Sequence, residues 1–305
     1  MASVSPASLE KAYQKARRRR QPWEPLWREC FAYASPVRGG GLGPEFGPAN
    51  RLSDRLFDGT APDAVEQLAA SLLAQLTPPW SRWFEIVPGT ELDTEGRGRL
   101  APLLEQATRV LLGHFERSNF AVEIHQCYLD LVTVGTATLL FQETAPGAGS
   151  AFRFTAVPAA EMSVLADGDG RITEQFRTTS IALAELRERF PSVAMPAGLR
   201  DRLDQDPECR VELVEAVRPD GPHFLYAAFV PKEEARSREP LLLAEGRFDR
   251  SPFITFRWLK AAGEIYGRSP VMTALPDIKT ANKVVELILK NASIAVTGIW
   301  LAEDD

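Results

Sequence analysis

The sequence predicts an α+β protein with a helical N-terminal half, an antiparallel sheet and a long kinked helix at its C-terminal end. Up to Val134, apolar residues recur mostly at steps of three and four, the spacing of one helix face. Between Thr136 and Trp258 they alternate in short runs separated by turn residues, which is typical of antiparallel strands. From Pro270 to Thr297 the helical spacing returns. Helices followed by a run of strands indicate segregated α and β parts.

The composition is that of an ordinary globular chain. Its 305 residues are 45% hydrophobic and 25% charged, enough for one large domain or two smaller ones. The formal net charge of −6 argues against a protein whose main task is to hold nucleic acid on a basic surface. No apolar run is long enough to cross a bilayer and the N-terminus lacks a secretory signal, so we expect no membrane partner. Three scattered cysteines fit buried thiols in a reducing compartment.

The first predicted helix begins at Ser5-Pro6 and ends in a run of basic residues. This run consists of Arg17, Arg18, Arg19 and Arg20. Positive charge at a helix C-terminus is favoured by the helix dipole, which makes a solvated helix end one interpretation. Contact with phosphate groups is the other. The residues alone leave both open.

Four more helices are predicted before the first strand. Their expected ranges are 23–31, 60–76, 100–115 and 119–134, with a Gly/Pro-rich loop over 35–50. Thr60 and Asp63, three residues apart, predict a capping box for the helix at 60–76. Ser118 and Asn119 are expected to cap the last of the four, and Gly135 to end it.

The β part is predicted as one antiparallel sheet. The expected strands are 83–87, 136–142, 152–157, 162–165, 172–176, 211–217, 224–230, 241–244 and 253–258. Hairpin turns are predicted at Asp167-Gly168-Asp169-Gly170 and at Pro219-Asp220-Gly221-Pro222. A short helix over 181–190 separates the two hairpins.

The terminal helix has two distinct faces. Ser269 is expected to cap it, Pro270 to be its first residue, and Pro276 to kink it. Its apolar positions predict a buried stripe of Ile278, Ala281, Val285, Ile288, Ala292 and Ala295. A separate charged stripe consists of Lys279, Lys283, Glu286 and Lys290. The strand expected at 299–301 has no partner after it, so we expect the N-terminal part of a longer protein. The expected divisions are 1–50, 51–265, 266–298 and 299–305.

The sequence shows no catalytic or cofactor-binding constellation. His114, His125 and Cys127 lie close in sequence, but side chains two apart on a helix face different ways and a second ligand pair is missing. The Asp167–Gly170 turn lacks the later glutamate of a calcium loop. His223 has no nucleophile beside it, and no glycine-rich loop precedes a lysine followed by serine or threonine. We therefore predict no enzyme activity, no metal and no cofactor.

Several segments, taken in order, resemble the portal, or head-to-tail connecting, protein of tailed bacteriophages of the short-tailed, T7-like type. These are 55–61 (RLFDGTA), 76–84 (LTPPWSRWF), Ser118-Asn119-Phe120 with 128–131 (YLDL), 135–137 (GTA), Tyr266-Gly267-Arg268-Ser269-Pro270 and 275–279 (LPDIK). They extend over most of the chain, roughly from Trp23 to Trp300. One segment alone is a weak signal, whereas the ordered set is fairly specific.

The resemblance implies a ring, typically a dodecamer, at one capsid vertex, through which viral double-stranded DNA is packaged and ejected. Its implied partners are further copies of itself, the major capsid and scaffolding proteins, the terminase and the tail adaptor. The implied location is the virion, after assembly in the host cytoplasm. The α+β part resembles the wing of such a subunit, the helix from Pro270 to Thr297 resembles a stem helix, and 299–301 resembles the strand entering the clip. The second stem helix, tunnel loop and crown that follow in the family are absent from this sequence, so assembly by this chain alone stays open.

Within this interpretation, Lys279, Lys283 and Lys290 are candidates for the channel wall or for salt bridges between subunits. A solvated helix face is the other interpretation of the same residues. The alternative function is an α+β nucleic-acid-binding or host-side module that forms no portal. It depends on the arginine run and on the tryptophans, which can stack with bases.

Overall fold

The computed structural model describes residues 5–38, 56–145 and 147–297. The described helices are α1 (Pro6–Arg20), α2 (Glu24–Ala34), α3 (Thr60–Leu76), α4 (Thr94–Arg117), α5 (Phe120–Val134), α6 (Leu183–Arg189), α7 (Ala197–Gln205), α8 (Lys232–Ala235) and α9 (Pro270–Thr297). The described strands are β1 (Thr136–Glu143), β2 (Phe152–Val157), β3 (Met162–Ala166), β4 (Ile172–Ala182), β5 (Arg210–Asp220), β6 (His223–Val230), β7 (Leu241–Phe248) and β8 (Phe253–Arg257). The α+β class is confirmed.

Helix α5 lies at the centre of the largest hydrophobic core. Ten of its 15 residues are buried, and it packs against α2, α3, α9 and strands β1 and β2. Every residue from Cys127 to Val134 is buried, so this half of the helix is covered on all sides by the neighbouring elements. Gly135 ends α5 as predicted, with a left-handed φ of 76° that favours glycine.

The predicted single sheet is two antiparallel sheets. One has the strand order β2-β1-β8 and the other β3-β4-β5-β6-β7. Gln175 on β4 joins them, because its Nε2 donates to the Phe253 carbonyl (3.2 Å) and to Thr255 Oγ1 (2.8 Å) on β8. Alternating patterns reveal strands but not which strands pair, so the division was not visible in the sequence. Both predicted hairpin turns are confirmed, between β3 and β4 and between β5 and β6.

The strand predicted at 83–87 is wrong. This segment is extended but belongs to neither described sheet. It lies along α4, where the Ile86 N–H donates to Thr108 Oγ1 (3.0 Å). The Trp83 ring stacks on Phe120, with centroids 5.6 Å apart. The apolar residues of this segment therefore pack against helices, although their alternating pattern had predicted pairing with a sheet.

Two helix starts also differ from expectation. Helix α4 begins at Thr94 rather than at residue 100, because Asp93 caps it by accepting the Gly96 N–H at 2.8 Å. The capping box of Thr60 and Asp63 is wrong, since Thr60 is already inside α3. Asp58 holds this helix start instead, and its Oδ1 accepts the Thr60 N–H at 3.1 Å. Helix α7 was not predicted.

Helix α9 has the predicted bounds, but the predicted buried stripe is wrong. Its first half packs on α2 and α5, with Val271, Leu275 and Asn282 buried. None of the six predicted stripe residues is fully buried. Ile278 and Val285 are half-buried and Ala281 is exposed. Every residue from 287 to 297 is exposed, and Ile288 is 60% exposed. The described elements cover only the near half of the helix. Pro276 lies inside α9, and the kink there stays a prediction. The strand expected at 299–301 and most of the 35–50 loop lie outside the described residues.

Candidate functional site

The base of α9 is a close crossing of two glycines. A Cβ atom placed on Gly267 would lie 2.0 Å from the Gly135 carbonyl oxygen, and one on Gly135 would lie 2.5 Å from the Gly267 oxygen. The Gly267 N–H donates to Thr136 Oγ1 (2.8 Å), and the Trp258 N–H donates to the Gly135 oxygen (3.0 Å). The two backbones touch because neither carries a side chain. This contact ties the segment before α9 to the end of α5.

Tyr266 anchors the same segment from the other side. Its ring is 1% exposed and meets Trp27 edge-on, with centroids 4.9 Å apart. Its hydroxyl oxygen accepts the Val164 N–H of β3 (3.2 Å). Burial raises the pKa of Tyr266 to about 12, so the phenol stays neutral at neutral pH. Tyr266 therefore links α2, β3 and the segment that enters α9.

Ser269 and Arg268 complete the base. The buried Ser269 hydroxyl donates to the Thr133 carbonyl (2.9 Å) and accepts the Met272 N–H (2.9 Å), so the predicted cap is confirmed and also bonds α5. Pro270 is the first residue of α9. Arg268 pairs with Glu264, and its guanidinium lies 5.6 Å from the centre of the Trp23 ring. Tyr266 to Pro270 thus fix the position and direction of α9.

The Ser118-Asn119-Phe120 segment covers the open edge of β2. Asn119 Oδ1 accepts the Phe154 N–H (2.9 Å) and Asn119 Nδ2 donates to the Phe154 carbonyl (2.7 Å). Asn119 is the N-cap residue of α5 by position, yet its side chain makes no cap bond. The Ser118 hydroxyl accepts the Phe120 N–H instead (3.1 Å). An asparagine amide can replace a neighbouring strand because it carries both a donor and an acceptor.

The charged stripe of α9 divides into two parts. Lys279 pairs with Glu29 of α2 (2.8 Å) and lies 5.7 Å from the centre of the Tyr33 ring. Glu286 pairs with both Lys283 (3.0 Å) and Lys290 (2.5 Å). These pairs lower the pKa of Glu286. The two lysine side chains are 60% and 63% exposed, so this second group faces solvent.

The four arginines at the end of α1 also separate. Arg20 is only 12% exposed, pairs with Glu24 (2.9 Å) and donates to the Ala160 carbonyl (2.6 Å). Arg17 lies 3.6 Å from Glu212 on β5. Arg18 and Arg19 are exposed and make no ion pair with the described residues. The run is therefore not one uniform basic surface, and its contact with phosphate stays a prediction.

The residues considered for a metal have other partners. His114 Nδ1 accepts the Ala151 N–H (3.1 Å), and Cys127 donates to the Thr138 carbonyl (3.5 Å). Burial raises the pKa of the Cys127 thiol, which opposes formation of the thiolate that metals bind. In the described ranges no three His, Cys, Asp or Glu side chains form a group that could hold a metal ion. Among the helices described, none has the length and apolar character needed to span a bilayer.

Two buried polar groups were missed by sequence reasoning. Asn282 Oδ1 accepts the Phe57 and Asp58 N–H groups (2.7 and 3.1 Å), which ties the approach to α3 onto α9. Arg38 pairs with the buried Asp130 at 2.8 Å, and burial raises the pKa of that carboxyl against the opposing effect of the arginine. The sequence signal for both groups was a polar residue, asparagine or aspartate, inside an apolar helix face. The sequence does not show which distant residue each of them bonds.

Together these contacts define a structural class of protein: an α+β body built to hold a long helix at one end, with half of that helix uncovered. The chain belongs to the bacteriophage head to tail connecting protein family, whose match covers residues 7–305.

Individual relatives agree with this membership. The chain is 25% identical to a probable portal protein of Bordetella phage BPP-1 over 274 residues, or 86% of this chain and 48% of the relative. It is 23% identical to the portal protein of Enterobacteria phage T3, over 78% of this chain and 44% of the relative. It is 21% identical to the portal protein of Escherichia phage T7, over 95% of this chain and 53% of the relative. The chain thus spans about half the length of the curated relatives it matches.

Proposed function

We propose that this chain is part of a structural portal subunit. Copies of the subunit form a ring, a dodecamer in our proposal, at one capsid vertex, and viral double-stranded DNA is packaged and ejected through its channel. The role is assembly and conduction, with no catalytic step. Support comes from membership in the head to tail connecting family and from relatives that are named portal proteins.

One structural observation carries the proposal: the far half of α9 exposes apolar side chains along its length. Leu287, Ile288 and Ile294 are 53%, 60% and 52% exposed, and Val296 is 86% exposed. Apolar side chains on successive turns of one helix are unfavourably exposed to water, and covering them lowers the free energy of the protein. In a homo-oligomer the same helix of a neighbouring copy can supply that cover. The rigid base described above would hold every copy of α9 at the same angle, which a closed ring requires.

The exposed charged group fits this arrangement. Lys283 and Lys290 lie on the uncovered half with exposed side chains and are available either to the channel or to a neighbouring subunit, and Glu286 lies between them with 17% of its side chain exposed. Lys279 is held against α2 by Glu29, whereas Lys283 and Lys290 pair only within α9 and are 60% and 63% exposed. We therefore expect Lys279 to contribute least to either role. A mildly acidic chain also suits a conduit, since each phosphate that a protein neutralises adds affinity and would slow the DNA.

The proposal extends to partners and location. A portal ring at a capsid vertex would contact the major capsid and scaffolding proteins during assembly, the terminase during packaging and the tail adaptor afterwards. It would assemble in the host cytoplasm and remain in the virion.

Mass by light scattering together with negative-stain imaging tests the proposal, on protein that includes any coding sequence following Asp305. We expect rings, and we expect Leu287→Gln with Ile288→Gln to shift them toward monomers. Leu103→Gln with Val110→Gln is the matched control, because these α4 side chains are 62% and 53% exposed. Strictly monomeric protein would refute the ring. Equal effects of the two double variants would refute the role of α9.

A further inference from the structure

A cleft on the body of the protein, away from α9, collects basic side chains without partners. It has a volume of about 880 Å³ and lies between α1 and the segment from α8 to Pro240, with Leu165 and Glu174 of the five-stranded sheet beside it. Six basic residues line it: Lys11, Lys15, Arg18, Arg19, Lys232 and Arg238. All six are exposed. No side chain of these six forms an ion pair with any residue of the described ranges.

The acidic residues in the cleft only partly balance this charge. Glu10 is 6% exposed and accepts the Lys232 N–H (3.3 Å), and Glu174 faces Arg218 at 3.8 Å. Glu233 and Glu239 are the other acidic lining residues. Six basic residues against four acidic ones leave a positive excess of two in the lining, and the Arg218 partner of Glu174 lies outside the cleft.

The fold arranges this charge as a straight row. Leu9, Tyr13 and Ala16 bury one face of α1 in the core on the five-stranded sheet. Lys11, Lys15 and Arg18 follow at steps of four and three, which places them on one face of the same helix. Seven residues of helix span about 10 Å at 1.5 Å per residue. Lys232 and Arg238 stand on the opposite wall.

We propose that this cleft binds the phosphate backbone of double-stranded DNA. Exposed, solvated lysines and arginines gain little from an isolated carboxylate. A duplex differs because its condensed counterions are released when phosphates are neutralised, so even exposed cations contribute. Arg18 and Arg19 thus fulfil the phosphate interpretation of the arginine run, whereas Arg17 and Arg20 serve the fold. The site is separate from α9 and does not depend on ring formation.

Fluorescence anisotropy of a labelled 30-base-pair duplex of random sequence, at 50–200 mM KCl, tests this proposal. With six cations the logarithm of the binding constant should fall against the logarithm of salt with a slope of about −5, at roughly −0.9 for each phosphate neutralised. The variant Lys11→Gln/Lys15→Gln/Arg18→Gln should bind more weakly and reduce the magnitude of that slope by about 3.

A matched triple variant separates the cleft from overall charge. Arg99→Gln/Arg187→Gln/Arg250→Gln removes three exposed arginines that do not line the cleft. Both triple variants change the net charge by the same amount from −6. We expect the control to bind as the unmodified protein does, and circular dichroism to show the same fold for all three.

Three results would overturn the proposal. These are no binding of the duplex at 50 mM KCl, equal weakening by the two triple variants, and displacement of the duplex by polyglutamate at equal charge concentration. The last would reassign the cleft to an acidic polypeptide. Light scattering on the same samples reports assembly, so a failure of the portal proposal is recorded independently.

Discussion

Replacing Gly267 by alanine should strongly destabilise the protein, because the added methyl group has no room. Its Cβ atom would lie 2.0 Å from the Gly135 carbonyl oxygen and 3.0 Å from Arg257 Cβ. The first neighbour is backbone and cannot rotate away, so the segment must move by about 1 Å or more. Overpacking of this kind costs about 1–3 kcal/mol. Separating the Gly267 N–H from Thr136 Oγ1 leaves a buried donor unpaired and adds about 1–3 kcal/mol. We expect a loss of about 2–6 kcal/mol in the free energy of unfolding.

Urea denaturation followed by tryptophan fluorescence measures this effect, since Trp23 and Trp27 lie against Tyr266. Gly98→Ala is the matched control. Gly98 lies inside α4, and a Cβ atom there meets nothing within 4 Å. Alanine is favoured over glycine in a helix by about 0.5–1 kcal/mol, so the control should stabilise the protein. Glycine to alanine is thus expected to lower the free energy of unfolding at position 267 and to raise it at position 98. A Gly267→Ala protein as stable as the parent would refute the close crossing.

Two further predictions follow from side chains described above. Asn119→Asp replaces the amide donor that bonds the Phe154 carbonyl by a carboxylate oxygen, and we expect it to lower the urea midpoint by an amount equivalent to about 1–3 kcal/mol. The exposed Asn291→Asp should leave the midpoint nearly unchanged. Burial raises the pKa of the Cys30 thiol to about 12 and that of Cys127 as well. At pH 8 both therefore stay protonated, and a disulfide reagent should rapidly label only the partly exposed Cys209. Guanidinium should release all three thiols, and rapid labelling of two in the native protein would contradict the predicted burial.

Features set by neighbouring residues in the chain were predictable from the sequence. Ser269 before Pro270 marks the start of a helix and Gly135 marks the end of one, and in the structure α9 begins at Pro270 and α5 ends before Gly135. The two hairpin turns are equally local, because Asp and Gly favour tight turns whatever the rest of the chain does. The ordered motif segments identified the family for the same reason: they are short and contiguous.

Features set by distant partners could not be predicted. The apolar run at 83–87 has a strand pattern, and only the position of Thr108 on α4 explains why it pairs with a helix. The predicted stripe of α9 has a uniform sequence pattern, yet Ile278 is half-buried and Ile288 is exposed because α2 and α5 reach only the near half of the helix. Arg17 to Arg20 are chemically identical, and their different roles depend on Glu212, Glu24 and the carbonyl of Ala160.

The close contact between Gly135 and Gly267 determines how precisely the direction of the whole terminal helix is fixed. From Pro270 to Thr297 the axis extends about 40 Å at 1.5 Å per residue. A change of about 5° in the axis direction at the base would move the far end by roughly 3.5 Å, close to the distance between two carbon atoms in van der Waals contact. The position of any contact made by the far end of α9 therefore depends on the packing at Gly135 and Gly267, which lie far from that contact. A mutation that weakens the contact between the two glycines would let α9 adopt a wider range of positions, although it changes no atom in the outer half of the helix.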